Sequence, residues 1–189
     1  NKGISNAVGK YIFFLDSDDY LISNGLKKLA NLVQNNNGIN LVIFTHYTSK
    51  VGNKFVKYKD ISQSNLFDNK INDLFKFCIK DIGYQHCWKY MFSRNFIIKE
   101  KLQFLPGVSV GEDRLFIHKS LSCCKKFIFC SVSFYCYRLG GRLSHSSGLN
   151  VSAGCLKIIN EMCNYIFENK LSKQEERLIF IGLRAIYYS

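Results

Sequence analysis

The sequence predicts an α/β fold in which a mixed sheet is flanked by helices. Apolar runs of strand length alternate along the chain with segments of helical periodicity, the order typical of this class. One such run, residues 11–15, is continuously apolar and leads into three carboxylates within four positions. A run of this kind is typical of a strand buried on both faces of a parallel sheet, with ligands bound at its carboxyl end. The hydrophobic content of 47% indicates a packed domain rather than disorder.

The charge of the chain limits its partners. The 26 Lys and Arg residues outnumber the 14 Asp and Glu residues, and the resulting net charge of +12 predicts affinity for anions. Nucleotide diphosphates, anionic membrane surfaces and nucleic acid all fit this charge. The basic residues are spread along the chain, whereas a nucleic-acid arm would cluster them. We therefore expect no nucleic-acid partner, and peripheral contact with an anionic membrane stays open.

Composition also indicates the compartment. No apolar run approaches about 18 residues, so the sequence offers no transmembrane candidate. The eight cysteines contain no C-x-x-C pair, which argues against a zinc site and favours reduced thiols. We expect a cytoplasmic protein, at most peripheral on the inner face of the membrane. The chain begins without methionine, so we expect it to be a piece of a longer protein.

The carboxylates that follow the first strand form a candidate metal site. Asp16, Asp18 and Asp19 crowd like charges together, which costs energy unless a cation neutralises them. An all-oxygen cluster favours a hard divalent ion such as Mg²⁺ or Mn²⁺. The alternative is an acidic turn that caps the next helix.

Residues 1–19 resemble the middle of a family 2 glycosyltransferase. They fill nearly every fixed position of the pattern N-x-G-[IL]-x-x-A-x-G-x-Y-[IV]-x-F-L-D-[SA]-D-D, in which the last residues carry the metal-binding D-x-D. The resemblance implies a GT-A (Rossmann-like) fold and a nucleotide-sugar donor, UDP-linked, held through a divalent cation. It further implies transfer to a saccharide or lipid-linked acceptor, in surface polysaccharide or glycan synthesis.

The segments on either side of the acidic cluster alternate between helix and strand. Residues 1–10 read as a helix that closes at Gly9, and Ser23 or Asn24 can cap the next helix. Residues 39–47 form a strand, and the polar residues 48–65 a loop or short hairpin. Two sets of apolar residues recur at helical spacing: Leu26, Leu29, Leu32 and Val33, then Ile71, Leu74, Phe75 and Cys78.

The only tryptophan lies in residues 85–92, an aromatic strand or turn followed by a helix at 93–100. In the resembled family a segment of this sort, with tryptophan and lysine, lies near the acceptor pocket. Trp88 is therefore a candidate for acceptor binding, and core packing is an equally good reading. His86 reads as an ordinary surface or core histidine.

A second acidic motif begins the next helix. The loop 107–111 leads to Glu112 and Asp113, and an apolar helix face follows: Phe116, Ile117, Leu121 and Cys124. The two carboxylates would sit in the first turn, where the helix dipole lowers the pKa of a carboxyl group. Simple capping accounts for them, but in the resembled family a G-E-D-x-x-F element carries the general base. The resemblance thus implies that Asp113 is the base and that Glu112 orients or binds acceptor hydroxyls.

Residues 125–138 alternate with the period of two of a half-buried strand, so we predict one long strand. The following segment resembles the mobile donor loop of the same family. Arg138 and Arg142 are candidates to grip the diphosphate, because guanidinium matches phosphate geometry. His145 is a candidate to complete the metal shell. Two C-terminal helices follow, marked by Ile159, Met162, Cys163 and Ile166, and by Leu178, Ile181, Ala185 and Tyr188.

These assignments give a mechanism by resemblance. Asp16 and Asp18 hold the cation, Asp16 also serves the donor, and Asp113 takes the proton of the acceptor hydroxyl. A single base opposite the leaving group implies inversion at the anomeric carbon.

Members of the family begin with two βαβ-like units that bind the uridine, and none precedes Asn1. We expect residues 1–147 to be the second half of a GT-A domain and residues 148–189 a helical extension. The isolated chain should bind nucleotide poorly, expose the edge of an interrupted sheet and be inactive.

Two other classes of function fit the same residues. A metal-dependent phosphoesterase or nuclease would also use Asp clusters, but it would hydrolyse its substrate without an acceptor. A non-catalytic anion-binding module would keep its binding after Asp16 and Asp113 were changed to Asn.

Overall fold

The structure, a computed structural model, describes residues 1–22, 25–51, 54–59, 74, 78, 85–109, 111–138, 149–173, 175–177 and 179–180. Their regular elements follow the alternating order that the sequence predicts. In chain order these are α1 (Lys2–Asn6), β1 (Tyr11–Phe13), β2 (Tyr20–Leu21), α2 (Gly25–Gln34), β3 (Leu41–Phe44), β4 (His46–Val51), β5 (Lys54–Lys59), a 3₁₀ turn (Cys87–Lys89), β6 (Tyr90–Ser93), α3 (Arg94–Lys99), α4 (Glu112–Cys123), β7 (Phe127–Cys130), β8 (Tyr135–Arg138) and α5 (Leu149–Asn169).

Within the described residues the strands form two mixed four-stranded sheets. The first has the order β1-β6-β3-β7, with β3 and β7 parallel and the other pairs antiparallel. The second has the order β2-β8-β4-β5, with β4 and β8 parallel. This arrangement, with helices beside it, confirms the predicted mixed α/β fold.

The strand before the acidic cluster differs from its prediction. It does not lie in a parallel sheet, because β1 pairs antiparallel with β6 at one edge of the described sheet. Its two faces are nonetheless covered. Ile12 and Phe14 pack in one apolar cluster, and Tyr11 and Phe13 pack in another. Residues 11–14 of the apolar run therefore reflect packing on both faces without parallel pairing, whereas Leu15 is exposed.

Two predicted single strands are each broken in two. The predicted strand 39–47 breaks at Thr45, and the predicted strand 125–138 breaks over residues 131–134. Both segments leave the first sheet at the same place and pair again in the second. Thr45 marks the crossing, since its N–H and its hydroxyl both donate to the Cys130 carbonyl, at 3.0 and 3.2 Å.

Other local predictions have mixed outcomes. For residues 48–65 the hairpin alternative is correct, because β4 pairs with β5. The hairpin begins at His46, two residues before the predicted segment. Helix α1 ends at Asn6 rather than Gly9, since Ala7 is already extended. Leu74 and Cys78 are helical and buried. The proposed caps Ser23 and Asn24 lie outside the described residues, as do Ile71 and Phe75.

Helices α3, α4 and α5 confirm their predictions. α5 packs on α4 where Ile158 and Met162 of α5 meet Leu115 of α4, and Ile179, beyond the end of α5, completes this buried cluster. All four residues that mark the second C-terminal helix, and the predicted boundary at 147, lie outside the described residues. None of the helices in the described ranges has the length and hydropathy needed to cross a membrane. All eight cysteines are free thiols.

The start of the chain is fixed to the loop before α4. The Asn1 side chain donates to the Phe104 carbonyl and accepts from the Phe104 N–H, both at 2.9 Å. The Phe104 ring stacks on Phe116 of α4 and meets Phe14 edge-on, with ring centroids 4.3 and 5.2 Å apart. These contacts hold the segment after β1 close to α4.

Candidate active site

The acidic turn, residues 16–19, follows β1 and is closed by a hydrogen bond from the Asp19 N–H to the Asp16 carbonyl. Asp16 and Asp18 are exposed, whereas Asp19 is buried. The Asp19 carboxylate accepts hydrogen bonds from the Tyr135 hydroxyl and, at 2.7 Å, from the Arg138 main-chain N–H. Asp19 therefore anchors the turn to β8 and leaves Asp16 and Asp18 to face outward.

Asp113 comes from the first turn of α4. Gly111, which precedes the helix, has a φ of 81°, a left-handed conformation that glycine adopts without strain. The Asp113 Oδ2 atom accepts a hydrogen bond from the Cys87 main-chain N–H at 3.0 Å. The 3₁₀ turn that contains Trp88 thus holds the predicted base in place.

Glu112 departs from the expected effect of the helix dipole. Burial raises the pKa of Glu112, and the charge of Asp113 adds to this, while its own main-chain N–H only partly offsets them. Loss of hydration therefore outweighs the helix N-terminus here. Such a carboxyl group protonates more readily than a free glutamate.

The structure brings the two acidic motifs near each other, since the ring of Phe14, just before the acidic turn, lies 5.5 Å from the ring of Phe116 in α4. Asp16 is exposed at the surface, yet neighbouring atoms partly desolvate it, and burial together with the charges of Asp113, Asp19, Asp18 and Glu112 raises its pKa to about 6. Charges on both motifs act on one carboxylate only if they lie near each other. The roles of these residues stay predictions, but they share one region of negative potential.

The carboxylates of the acidic turn suit a cation that is bound jointly by the protein and the phosphates of the substrate. In the part of the chain that the structure describes, no three His, Cys, Asp or Glu side chains converge as a ready metal cage. Asp16 and Asp18 suit Mg²⁺ or Mn²⁺, because Mg²⁺ is commonly held by one or two carboxylates together with substrate phosphates. The carboxylate of Asp19 is already occupied, so it is a poor ligand. His145 lies outside the described residues.

Of the two candidate donor-binding arginines, Arg138 lies at the end of β8 and Arg142 is outside the described residues. The Arg138 guanidinium lies 5.9 Å from the ring centre of Tyr20, which follows the acidic turn. Pairing of β8 with β2 brings these residues together. Arg138 is exposed and adjacent to the turn, which suits its predicted role.

Trp88 is enclosed by aromatic side chains and is only 5% exposed. Its ring stacks on Tyr135 at 4.7 Å with an interplanar angle of 1°, and His86 and Tyr137 lie nearly parallel to it at 5.6 and 5.8 Å. Tyr47 meets its edge. This enclosure is what the packing alternative predicts, and a role of Trp88 in acceptor binding stays a prediction. His86 is the exposed member of the stack.

Sequence reasoning missed the two tyrosines of β8. Burial raises the pKa of Tyr137, and the charges of Asp19, Asp18 and Asp16 raise it further, so Tyr137 faces the acidic turn. Tyr135 binds Asp19 directly. Their spacing of two on one strand was the available signal, but nothing local linked that strand to the turn.

Comparisons with known proteins agree with this architecture. A family model described as Glycosyl transferase family 2 matches residues 1–97. The Staphylococcus aureus protein TarP, a poly(ribitol-phosphate) beta-N-acetylglucosaminyltransferase, is 26% identical over 184 residues, which are 94% of this chain and 53% of TarP. An uncharacterized glycosyltransferase of Rickettsia conorii is 37% identical over 71 residues, 38% of this chain and 11% of that protein.

Solved structures show the same fold. S. aureus TarS 1-349 in complex with UDP-GlcNAc has a TM-score of 0.66 at 17% identity, covering 99% of this chain and 50% of that one. The complex of TarS 1-349 with UDP gives a TM-score of 0.61, covering 99% and 48%. The chain therefore spans about half the length of TarP and of these TarS structures.

Proposed function

The chain belongs to glycosyl transferase family 2, and we propose that it moves a sugar from a UDP-linked donor to a saccharide or lipid-linked acceptor hydroxyl. The observation that carries this proposal is the proximity of the two acidic motifs: Phe14 before the acidic turn contacts Phe116 of α4, and the charge of Asp113 acts on Asp16. A transfer reaction needs groups for the departing diphosphate and for the acceptor within reach of one anomeric carbon.

The donor side of the proposed site is the acidic turn with Arg138. TarS has been crystallised with UDP and with UDP-GlcNAc, and TarP is named an N-acetylglucosaminyltransferase. We therefore propose UDP-GlcNAc as the first donor to test. Asp16 and Asp18 would hold a divalent cation, which when bound supplies charge neutralisation for the diphosphate. Arg138 would add its guanidinium to the phosphate oxygens.

The acceptor side is the start of α4. Asp113 accepts the proton of the acceptor hydroxyl as the new oxygen–carbon bond forms and the bond from the anomeric carbon to the diphosphate oxygen breaks. The Cys87 N–H fixes one oxygen of this carboxylate, so the base keeps its direction. Glu112 would bind a second acceptor hydroxyl. With the base opposite the leaving group, we propose inversion at the anomeric carbon.

The test uses the full-length polypeptide that carries this chain. UDP release and sugar transfer from UDP-GlcNAc are measured with Mn²⁺ or Mg²⁺ and with EDTA. Asp113→Asn should lower kcat by about 10²- to 10⁴-fold, because it removes the base and keeps the shape. Glu168→Gln, an exposed carboxylate of α5, is the matched control and should leave kcat unchanged.

The outcomes separate the candidate classes. Full activity of Asp113→Asn would refute the assigned base. If free sugar or phosphate is released and adding an acceptor yields no glycosylated product, the protein is a hydrolase instead. Unchanged activity in EDTA would refute the role proposed for the cation.

The net charge of +12 supports a further part of the proposal, a cytoplasmic enzyme that contacts an anionic membrane surface near its acceptor. Co-sedimentation with phosphatidylglycerol vesicles, but not with phosphatidylcholine vesicles, is the expected result. Equal sedimentation with both would contradict it.

A further inference from the structure

We propose that Tyr135 is a positioning residue that fixes the acidic turn relative to Asp113. This inference rests on the proposed function, because it concerns how the two halves of that site are held in register. Tyr135 lies on β8, is 1% exposed and contacts both halves through different parts of its side chain.

Its hydroxyl group holds the acidic turn. The hydroxyl donates to the Asp19 carboxylate, whose other oxygen accepts the Arg138 N–H. Burial raises the pKa of Tyr135, the Asp19 hydrogen bond raises it further, and the Asp16 main-chain N–H lowers it. The hydroxyl therefore binds the last residue of the turn, and the first residue of the turn acts on its pKa.

Its ring contacts the segment that holds the base. The Tyr135 ring stacks on Trp88 with centroids 4.7 Å apart and planes within 1° of parallel. Trp88 directly follows Cys87, whose main-chain N–H binds the Asp113 carboxylate at 3.0 Å. A series of direct contacts thus runs from Asp19 through Tyr135, Trp88 and Cys87 to Asp113.

Apart from Asp113, the residues that make these contacts are buried. Trp88 is 5% exposed, Cys87 3% and Asp19 8%, so these neighbours have little freedom to move apart. A phenylalanine at position 135 would fill the same volume and keep the stack. The hydroxyl is needed only for the turn, and this makes its removal a specific test of the connection.

The test is Tyr135→Phe in the full-length polypeptide, with UDP-GlcNAc and Mn²⁺ as probes. We expect kcat to fall about 10- to 100-fold, the effect of a small misplacement of reacting groups. The KM for UDP-GlcNAc should change by less than about threefold, because each half still binds its own ligand. Tyr165→Phe is the matched control: it removes another partly buried, hydrogen-bonded hydroxyl, which lies on α5 and bonds to Ser122 near the end of α4 opposite Asp113, and kcat should not change.

A purely structural role would lower the melting temperature and leave kcat of the folded enzyme intact, and that result would overturn the proposal. A raised KM with unchanged kcat would also overturn it, since Tyr135 would then only order the donor turn. If Tyr135→Phe does not fold, Asp19→Asn tests the same hydrogen bond with the same expected split. If the wild-type protein transfers no sugar, the proposed function itself is refuted. If the wild type is active and Tyr135→Phe is equally active, only the positioning role of Tyr135 is refuted.

Discussion

The substitution Gly25→Ala tests the close contact between α2 and the segment that crosses from the first sheet to the second. A Cβ atom on Gly25 would lie 2.1 Å from the Phe134 Cβ and 2.9 Å from its Cα, well inside the 3.4 Å at which ordinary contact begins. Phe134 cannot swing aside, because it is 1% exposed and packs on Phe13 and Phe44, with ring centroids 5.1 and 4.4 Å away.

The magnitude follows from these contacts. Overpacking of a dense core costs about 1–3 kcal/mol, and a clash with main-chain atoms belongs at the upper end. Alanine recovers up to about 1 kcal/mol of helix propensity at most, so we expect a net loss of about 2–3 kcal/mol. For a chain of this size that is a fall of about 5–10 °C in Tm. Because Phe134 precedes Tyr135, kcat should fall as well.

The assay is thermal unfolding followed by circular dichroism, with Gly3→Ala as the matched control. Gly3 lies in α1, and no atom lies within 4 Å of the position that an alanine Cβ would take there. Alanine at this position should be neutral or raise the unfolding free energy by about 0.5–1 kcal/mol. A Gly25→Ala protein that melts with the wild type would refute the close packing of α2 on Phe134.

Two other substitutions test the backbone and the charge of the site. Gly111→Ala places a side chain at a φ of 81° and a Cβ 2.9 Å from the end of Ile158, so we expect a loss of about 1–2 kcal/mol in urea unfolding, and an unchanged midpoint would contradict this. For Asp16 the folded pKa of about 6 lies above the ordinary value of 3.8, so its contribution to stability is full below pH 4 and is lost as the pH rises through 6. Asp16→Asn should therefore show a smaller decline in Tm between pH 4 and pH 7 than the wild type, and equal declines would contradict the raised pKa.

The candidate site was predictable because its two motifs are local in sequence. The carboxylates follow an apolar strand directly, and Glu112 and Asp113 follow a glycine-ended loop. Each pattern places its carboxylates at the end of a regular element, and the structure brings these two ends near each other. The motif itself does not distinguish Asp19 from the other aspartates of the turn. In the structure Asp19 alone of these is buried, and it accepts a hydrogen bond from Tyr135.

The breaks in the two long strands were not predictable from periodicity. Alternation of side chains continues through residues 131–134, so the pattern gives no sign that the chain changes sheets. The crossing is set by pairing between distant segments, at the hydrogen bonds from Thr45 to Cys130. Trp88 illustrates the same limit, because it lies in a 3₁₀ turn and its stacking partner Tyr135 comes from β8, a segment distant in sequence.

The paired hydrogen bonds of Asn1 with Phe104 have a consequence for mutagenesis far from the acidic residues. Replacement of this asparagine by alanine in the full-length polypeptide would release the loop that precedes the proposed base. A fall in the activity of that variant would report a loosened loop rather than a missing catalytic group.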